Sequence, residues 1–205
     1  MKEVNSASPI GVFDSGIGGL TVVRELTRQL PNESIIYFGD TARVPYGPKS
    51  PETVIRYSRE ITSFLRDQGV KAVVVACNTA TAHALPTLLE EYDLPIIGVV
   101  EPGSRAAARA TKTGNVGVIG TYGTIKSRAY ERAIAREMPD ANIMARACPL
   151  FVPLIEEGWL EGVDSVGITS GASASACGTR PAARSGCPVR TRPRPTTATG
   201  SAARR

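Results

Sequence analysis

IGVFDSGIGGLTVVRELTRQL, residues 10–30, changes period halfway along. Its first five residues are a short apolar run that reads as a strand. SGIGG then turns the chain, and Leu20, Val23, Leu26 and Leu30 recur at helical spacing until Pro31 stops the helix. Strand, tight turn and helix in that order open a parallel α/β unit, and the same grammar continues downstream. Residues 34–40 (SIIYFGD) read as the next strand, and residues 41–50 (TARVPYGPKS) as a loop of turn formers. Ser50 and Pro51 stand where an N-cap and a first helical residue belong; Val54, Ile61, Phe64 and Leu65 mark one face of the helix, and Gly69 closes it. Residues 71–76 (KAVVVA) form a strand that delivers Cys77-Asn78-Thr79 to its carboxyl end. A helix through Leu89, a strand over 96–100, a helix near 105–110, a strand over 116–121, a helix over 125–137 and a strand over 142–147 complete the alternation. The fold class is α/β, a parallel sheet flanked by helices.

Sheets of this class bind ligands beyond the carboxyl ends of their strands. Those ends carry Asp14-Ser15, Asp40 with the loop to Tyr46-Gly47, Cys77-Asn78-Thr79, and Thr121, a small polar set suited to a compact polar ligand. The glycine turn at 16–19 is not a dinucleotide fingerprint, because Thr21 stands where the third glycine would be. No G-x-x-x-x-G-K-[ST] phosphate loop occurs either. A glycine turn at a helix N-terminus holds a carboxylate as readily as a phosphate. Cys77 ends a strand, precedes two polar residues and leads into a helix, so its thiol is placed to act as acid or base. The helix N-terminus favours a thiolate and a nearby aspartate a thiol, which leaves its resting state open. Cys148 ends another strand without polar company and reads as structural. His83, the one histidine, lies inside a helix and reads as structural too.

Composition divides the chain near residue 163. Residues 164–205 contain no Leu, aromatic, Lys or Glu, and a segment so poor in apolar side chains is expected to be disordered. The chain has 24 basic and 19 acidic residues. The 7 Arg and 1 Asp after residue 163 leave 17 basic and 18 acidic residues ahead of them, so the net +5 belongs to the tail. A nearly neutral folded part argues against a nucleic-acid partner for it. No signal peptide or membrane-length apolar run is visible, and the expected location is cytoplasmic, with no membrane partner. The four cysteines lack paired CxxC spacing, so no metal site is expected.

The stretches PIGVFDSGIGGLTVVREL, YFGDTARVPYGPKS, VVVACNTATA, PIIGVVEPG, GVIGTYGTIKS and ACPLFVPLIEEG, in this order, resemble the aspartate/glutamate racemase family, and within it the glutamate racemases that supply D-glutamate for bacterial peptidoglycan. The resemblance covers residues 1 to about 162. It implies a two-domain architecture, here a first α/β domain over 1–99 and an incomplete second over 100–163. It further implies interconversion of L- and D-glutamate by two-base proton transfer, no cofactor, and a homodimer at full length. Carried over, it makes Cys77 one of two catalytic thiols, Asp14 both a catalytic and a substrate-binding residue, and Ser15, Tyr46, Gly47, Asn78, Thr79 and Thr121 substrate contacts. Glu156, with Glu157 as its neighbour in register, matches an acidic residue associated with the opposite thiol. The family's second thiol lies in a Gly-Cys-Thr-His-Tyr-Pro stretch that this sequence lacks: Cys177 precedes Gly178-Thr179 and Cys187 precedes Pro188. The low-complexity text after residue 163 is what a GC-rich gene read in a shifted frame would yield, and this chain is expected to be inactive for want of the second thiol. Aspartate racemase, or a non-catalytic glutamate-binding or interaction fragment, are the alternatives.

Overall fold

The computed structural model describes residues 4–158. Among them, two parallel sheets carry the alternation. The first contains β1 (Ile10–Asp14), β2 (Ile35–Gly39), β3 (Ala72–Val75) and β4 (Ile96–Gly98), in the spatial order β2-β1-β3-β4. Every residue of β1 is buried, as expected of a parallel strand with neighbours on both edges and cover on both faces. Three helices connect these strands: α1 (Leu20–Gln29), α2 (Pro51–Asp67) and α3 (Asn78–Glu91).

Local chemistry accounts for the best-defined of them. The Ser50 hydroxyl accepts the Thr53 N–H at 3.3 Å, Pro51 needs no donor at the first helical position, and Gly69 takes a left-handed φ of 83° just beyond the end. Val54, Ser58, Ile61, Thr62 and Leu65 form the buried stripe of α2, and Val54, Ile61 and Leu65 pack with Phe13, Val73 and Val75 into the main core.

The second half continues with α4 (Val100–Ala110), β5 (Asn115–Gly120), α5 (Tyr122–Ser127), α6 (Ala129–Glu137), β6 (Asn142–Ala147) and α7 (Phe151–Glu156). β5 and β6 pair in parallel from Asn115↔Asn142 to Gly120↔Ala147. Val116, Val118 and Ile134 centre a separate small core, while Ile119 and Met144 are exposed.

Three boundaries differ from the sequence reading. The strand expected over 96–100 stops at Gly98, and the helix expected near 105–110 begins at Val100. Glu101 is favoured in a first turn, and Pro102 is tolerated there because first-turn N–H groups have no intrahelical partner. The helix expected over 125–137 is two helices, because Arg128 adopts φ 56° and ψ 22°, a conformation that ends α5 and starts α6. Periodicity alone cannot see a single left-handed residue. α7 is an element that the strand and helix periodicities did not bring out. The tail expected to be disordered, with Cys177 and Cys187, lies outside the described residues.

Candidate active site

The first sheet brings its strand ends level. Gly39 pairs with Asp14 across β2 and β1, and the Ala76 N–H donates to the Phe13 carbonyl at 2.8 Å, so the chain reaches Cys77 beside Asp14. Asp14 is buried, and its Oδ2 accepts the N–H groups of Gly16 at 3.2 Å and Gly19 at 3.0 Å. The carboxylate thus ties down the glycine turn ahead of α1. A Cβ at Gly19 would stand 2.6 Å from the Asp14 Cβ and 3.1 Å from that of Ala76, so only glycine permits the fit.

Cys77 caps α3. Its Sγ accepts the Ala80 N–H at 3.4 Å and lies 3.5 Å from the Ser15 hydroxyl oxygen, to which the thiol donates. Burial, followed by the Asp14 charge, pushes the thiol up to about 11, against smaller help from the Ser15 hydroxyl and the Ala80 and Ser15 N–H groups. Burial beside a carboxylate thus favours the thiol over the thiolate, against the opposing pull of the helix end.

The opposing wall comes from the second half. Thr121 caps α5 by accepting the Thr124 N–H at 3.3 Å, and the hydroxyls of Thr79, Thr121 and Thr124 close a triangle with sides of 2.9, 3.0 and 3.2 Å. Tyr130 donates to the Asn78 side-chain oxygen at 2.6 Å. Behind this wall the Gly123 N–H donates to the Gly47 carbonyl at 3.0 Å, and His83 Nε2 donates to the Gly123 carbonyl at 3.1 Å. His83 joins the two halves in a structural capacity, and burial lowers its pKa from the ordinary value.

Between the walls lies a cavity of about 340 Å³, lined among others by Asp14, Ser15, Cys77, Asn78, Thr79, Thr121 and Glu156. Seven of the residues singled out in the sequence thus meet in one space, and among the described residues no Lys or Arg lines it. Glu156 reaches it from α7, its Oε1 accepting the Ile17 N–H at 3.3 Å. The neighbouring Glu157 is exposed and does not line the cavity. Tyr37 donates to the Gly16 carbonyl at 2.8 Å and is held up at about 12, by burial first and then by Asp14, Glu156 and Cys77.

Tyr46 and Gly47 do not line this cavity. The Tyr46 ring is fully buried, and its hydroxyl donates to the Asp40 carboxylate, which also accepts from Arg43 Nε at 2.7 and 2.9 Å. Asp40 is therefore an anchor of the 41–50 loop, and Gly47 lies against Thr121, which a Cβ on Gly47 would approach to 2.6 Å. Thr124 and Tyr130 were missed as site neighbours. Thr124 is legible in hindsight as the third residue after a Thr cap; Tyr130 carries no local signal, since only the packing of α6 brings it to Asn78.

A second, apolar cavity of about 380 Å³ runs along β5 and is lined by Ile134, Phe151, Val152 and the buried Cys148. Cys148 lines this second cavity and not the one at Cys77. No group of three His, Cys, Asp or Glu suited to a metal occurs among the described residues, and none of their helices is long and apolar enough to cross a membrane.

The family profile described as Asp/Glu/Hydantoin racemase matches residues 10–164. Among curated relatives, the glutamate racemase of Geobacter metallireducens is 61% identical over 152 residues, which are 74% of this chain and 56% of that protein. That of Aquifex aeolicus is 54% identical over 153 residues, 75% of this chain and 59% of that one. The chain thus spans just over half the length of these relatives. Among solved structures, glutamate racemase isoform RacE1 from Bacillus anthracis superposes with a TM-score of 0.82 at 43% identity, covering 86% of this chain and 66% of that one. The Francisella tularensis glutamate racemase, solved in complex with D-glutamate, gives 0.77 at 42% identity, covering 82% and 64%.

Proposed function

This chain belongs to the Asp/Glu/Hydantoin racemase family, and from that premise we propose that the cavity at Cys77 is one half of a glutamate racemase site. The observation that carries the reading is the apposition of a buried thiol, the Ser15 hydroxyl and the Asp14 carboxylate at the ends of β3 and β1. The substrate ammonium pairs with Asp14. That neutralises the charge which helps to keep Cys77 protonated, so substrate binding itself favours the thiolate that must take the α-proton. Ser15, Asn78, Thr79 and Thr121 offer neutral donors to the two carboxylates. Tyr46 and Gly47 contribute through the loop they anchor against Thr121, and Glu156 serves the opposite face.

Inversion needs a second proton-transfer group on that opposite face. Cys148 lies in the neighbouring cavity, so among the described residues one thiol serves the site. This chain is accordingly expected to bind glutamate without racemising it at a useful rate, and a chain of the relatives' length to racemise it without a cofactor, in the cytoplasm, for peptidoglycan synthesis, as a homodimer. The two sheets support a reading as two domains dividing near residue 99.

Calorimetric titration with L-glutamate, D-glutamate and L-aspartate tests the substrate assignment. Glutamate binding preferred over aspartate is expected. Preferred aspartate would transfer the assignment to an aspartate racemase, and binding of neither would remove it.

A further inference from the structure

Thr79, Thr121 and Thr124 set three hydroxyls against one another. The oxygens of Thr79 and Thr121 are 2.9 Å apart, those of Thr121 and Thr124 3.0 Å, and those of Thr79 and Thr124 3.2 Å. Each hydroxyl has one proton to give and two lone pairs to receive with, so a closed ring spends all its protons on itself. Thr79 and Thr121 line the polar cavity; Thr124 does not. Thr124 is buried, and among the described residues its hydroxyl meets those of Thr79 and Thr121 and no other group. The Thr124 N–H donates to Thr121 Oγ1 at 3.3 Å, so the cap on α5 does not depend on the Thr124 hydroxyl. When an anion enters the cavity, Thr79 and Thr121 can turn their protons towards it and Thr124 cannot. Turning both outward leaves two oxygens 2.9 Å apart with no proton between them. The Thr124 oxygen, at similar distances from both, is placed to give its proton to the pair as a three-centre bond.

We propose that Thr124 is a positioning residue that turns the threonine wall into a pair of donors for a ligand carboxylate. It gives its own proton to Thr79 and Thr121 and so frees both of theirs for the cavity. The inference rests on the reading of the cavity as a glutamate site and deepens it: among the described residues no Lys or Arg lines the space, and anion recognition falls to such neutral donors. Without the Thr124 hydroxyl, one of the two remaining protons falls back between the Thr79 and Thr121 oxygens. The ligand then keeps one hydrogen bond from this pair instead of two.

The test is calorimetric titration of the full 205-residue chain with L-glutamate and D-glutamate, comparing the parent with Thr124→Val and Thr124→Ser. Valine keeps the shape of threonine and the backbone N–H but has no hydroxyl proton to give; serine keeps the hydroxyl. Thr124→Val is expected to bind the preferred enantiomer about fivefold more weakly, the net worth of one hydrogen bond, and Thr124→Ser to bind within about twofold of the parent. Should Thr124→Val fail to show the parent's thermal unfolding transition, Thr124→Ala makes the same comparison against Thr124→Ser. If the variant without a hydroxyl binds glutamate as the parent does, or Thr124→Ser is equally weakened, the donor role of Thr124 is refuted while the glutamate site stands. If the parent binds neither enantiomer, the site assignment falls and the donor role with it.

Discussion

β1 and β5 each end in a turn that leads into a helix, yet the two turns are built from different chemistry. β1 is buried at all five positions and ends in a carboxylate that holds its own glycine turn through two backbone N–H groups. β5 alternates between buried and exposed positions and ends in Thr121, a neutral hydroxyl that caps the next helix. The first arrangement places charge beside a thiol; the second supplies only donors and acceptors without charge. One wall of the cavity can thus govern proton affinity, and the other can orient a ligand. The first half also holds the larger core, beneath the strand ends that bring a carboxylate and a thiol into one cavity.

The sharpest break of this comparison would be at Cys77. In a chain of the relatives' full length, Cys77→Ser should lower turnover by about 10²–10⁴-fold, the usual contribution of a positioned acid or base, with glutamate affinity retained. Near-normal turnover would make the first wall structural. Next in size, Leu65→Ala removes a fully buried side chain beneath β1 and should cost about 2–5 kcal/mol in urea unfolding. A cost under about 1 kcal/mol would mean that the larger core does not support the first wall.

Titration of Cys77 distinguishes the walls in another way. Its pKa rises from an ordinary 9.0 to about 11 on folding, so between these values the unfolded chain gives up its proton first. The stabilisation is complete below pH 9 and is lost as pH rises through 11, amounting to about 3 kcal/mol at most. Unfolding free energies measured from pH 8 to 11 should fall, and Cys77→Ala should flatten that slope; an unchanged slope would show the thiol to be ordinary. On the second wall, Thr121→Ala loses a helix cap and should cost about 1 kcal/mol. Ile119→Ala, at an exposed position of β5, should change stability by less than about 0.5 kcal/mol.

Legibility in the sequence followed the same division. Ser50, Pro51 and Gly69 carry their instructions locally, and α2 starts and stops where they say. Asp14, Ser15 and Cys77 were legible because parallel strands send their carboxyl ends to one side. The break at Arg128 was not, since arginine is a good helix former and nothing in its local sequence marks a left-handed turn. The placement of Tyr46 was not either: its hydroxyl is claimed by Asp40, six residues back in the chain, and loop composition does not reveal which neighbour a buried phenol will choose. Glu156 reaches Ile17 across 139 residues of sequence, a distance over which only a fold can speak.

Gly123 fixes how far apart the two halves can stand. It meets Gly47 through main-chain atoms on one side and His83 on the other, and a methyl group at that position would come within 2.9 Å of the Gly47 carbonyl oxygen. Because peptide groups cannot shorten or fold away as side chains can, the joint has a hard stop. Swapping side chains elsewhere along it changes how firmly the halves are pressed together, but a single carbon atom at Gly123 acts as a wedge, widening the gap in which Cys77 and Thr121 face each other.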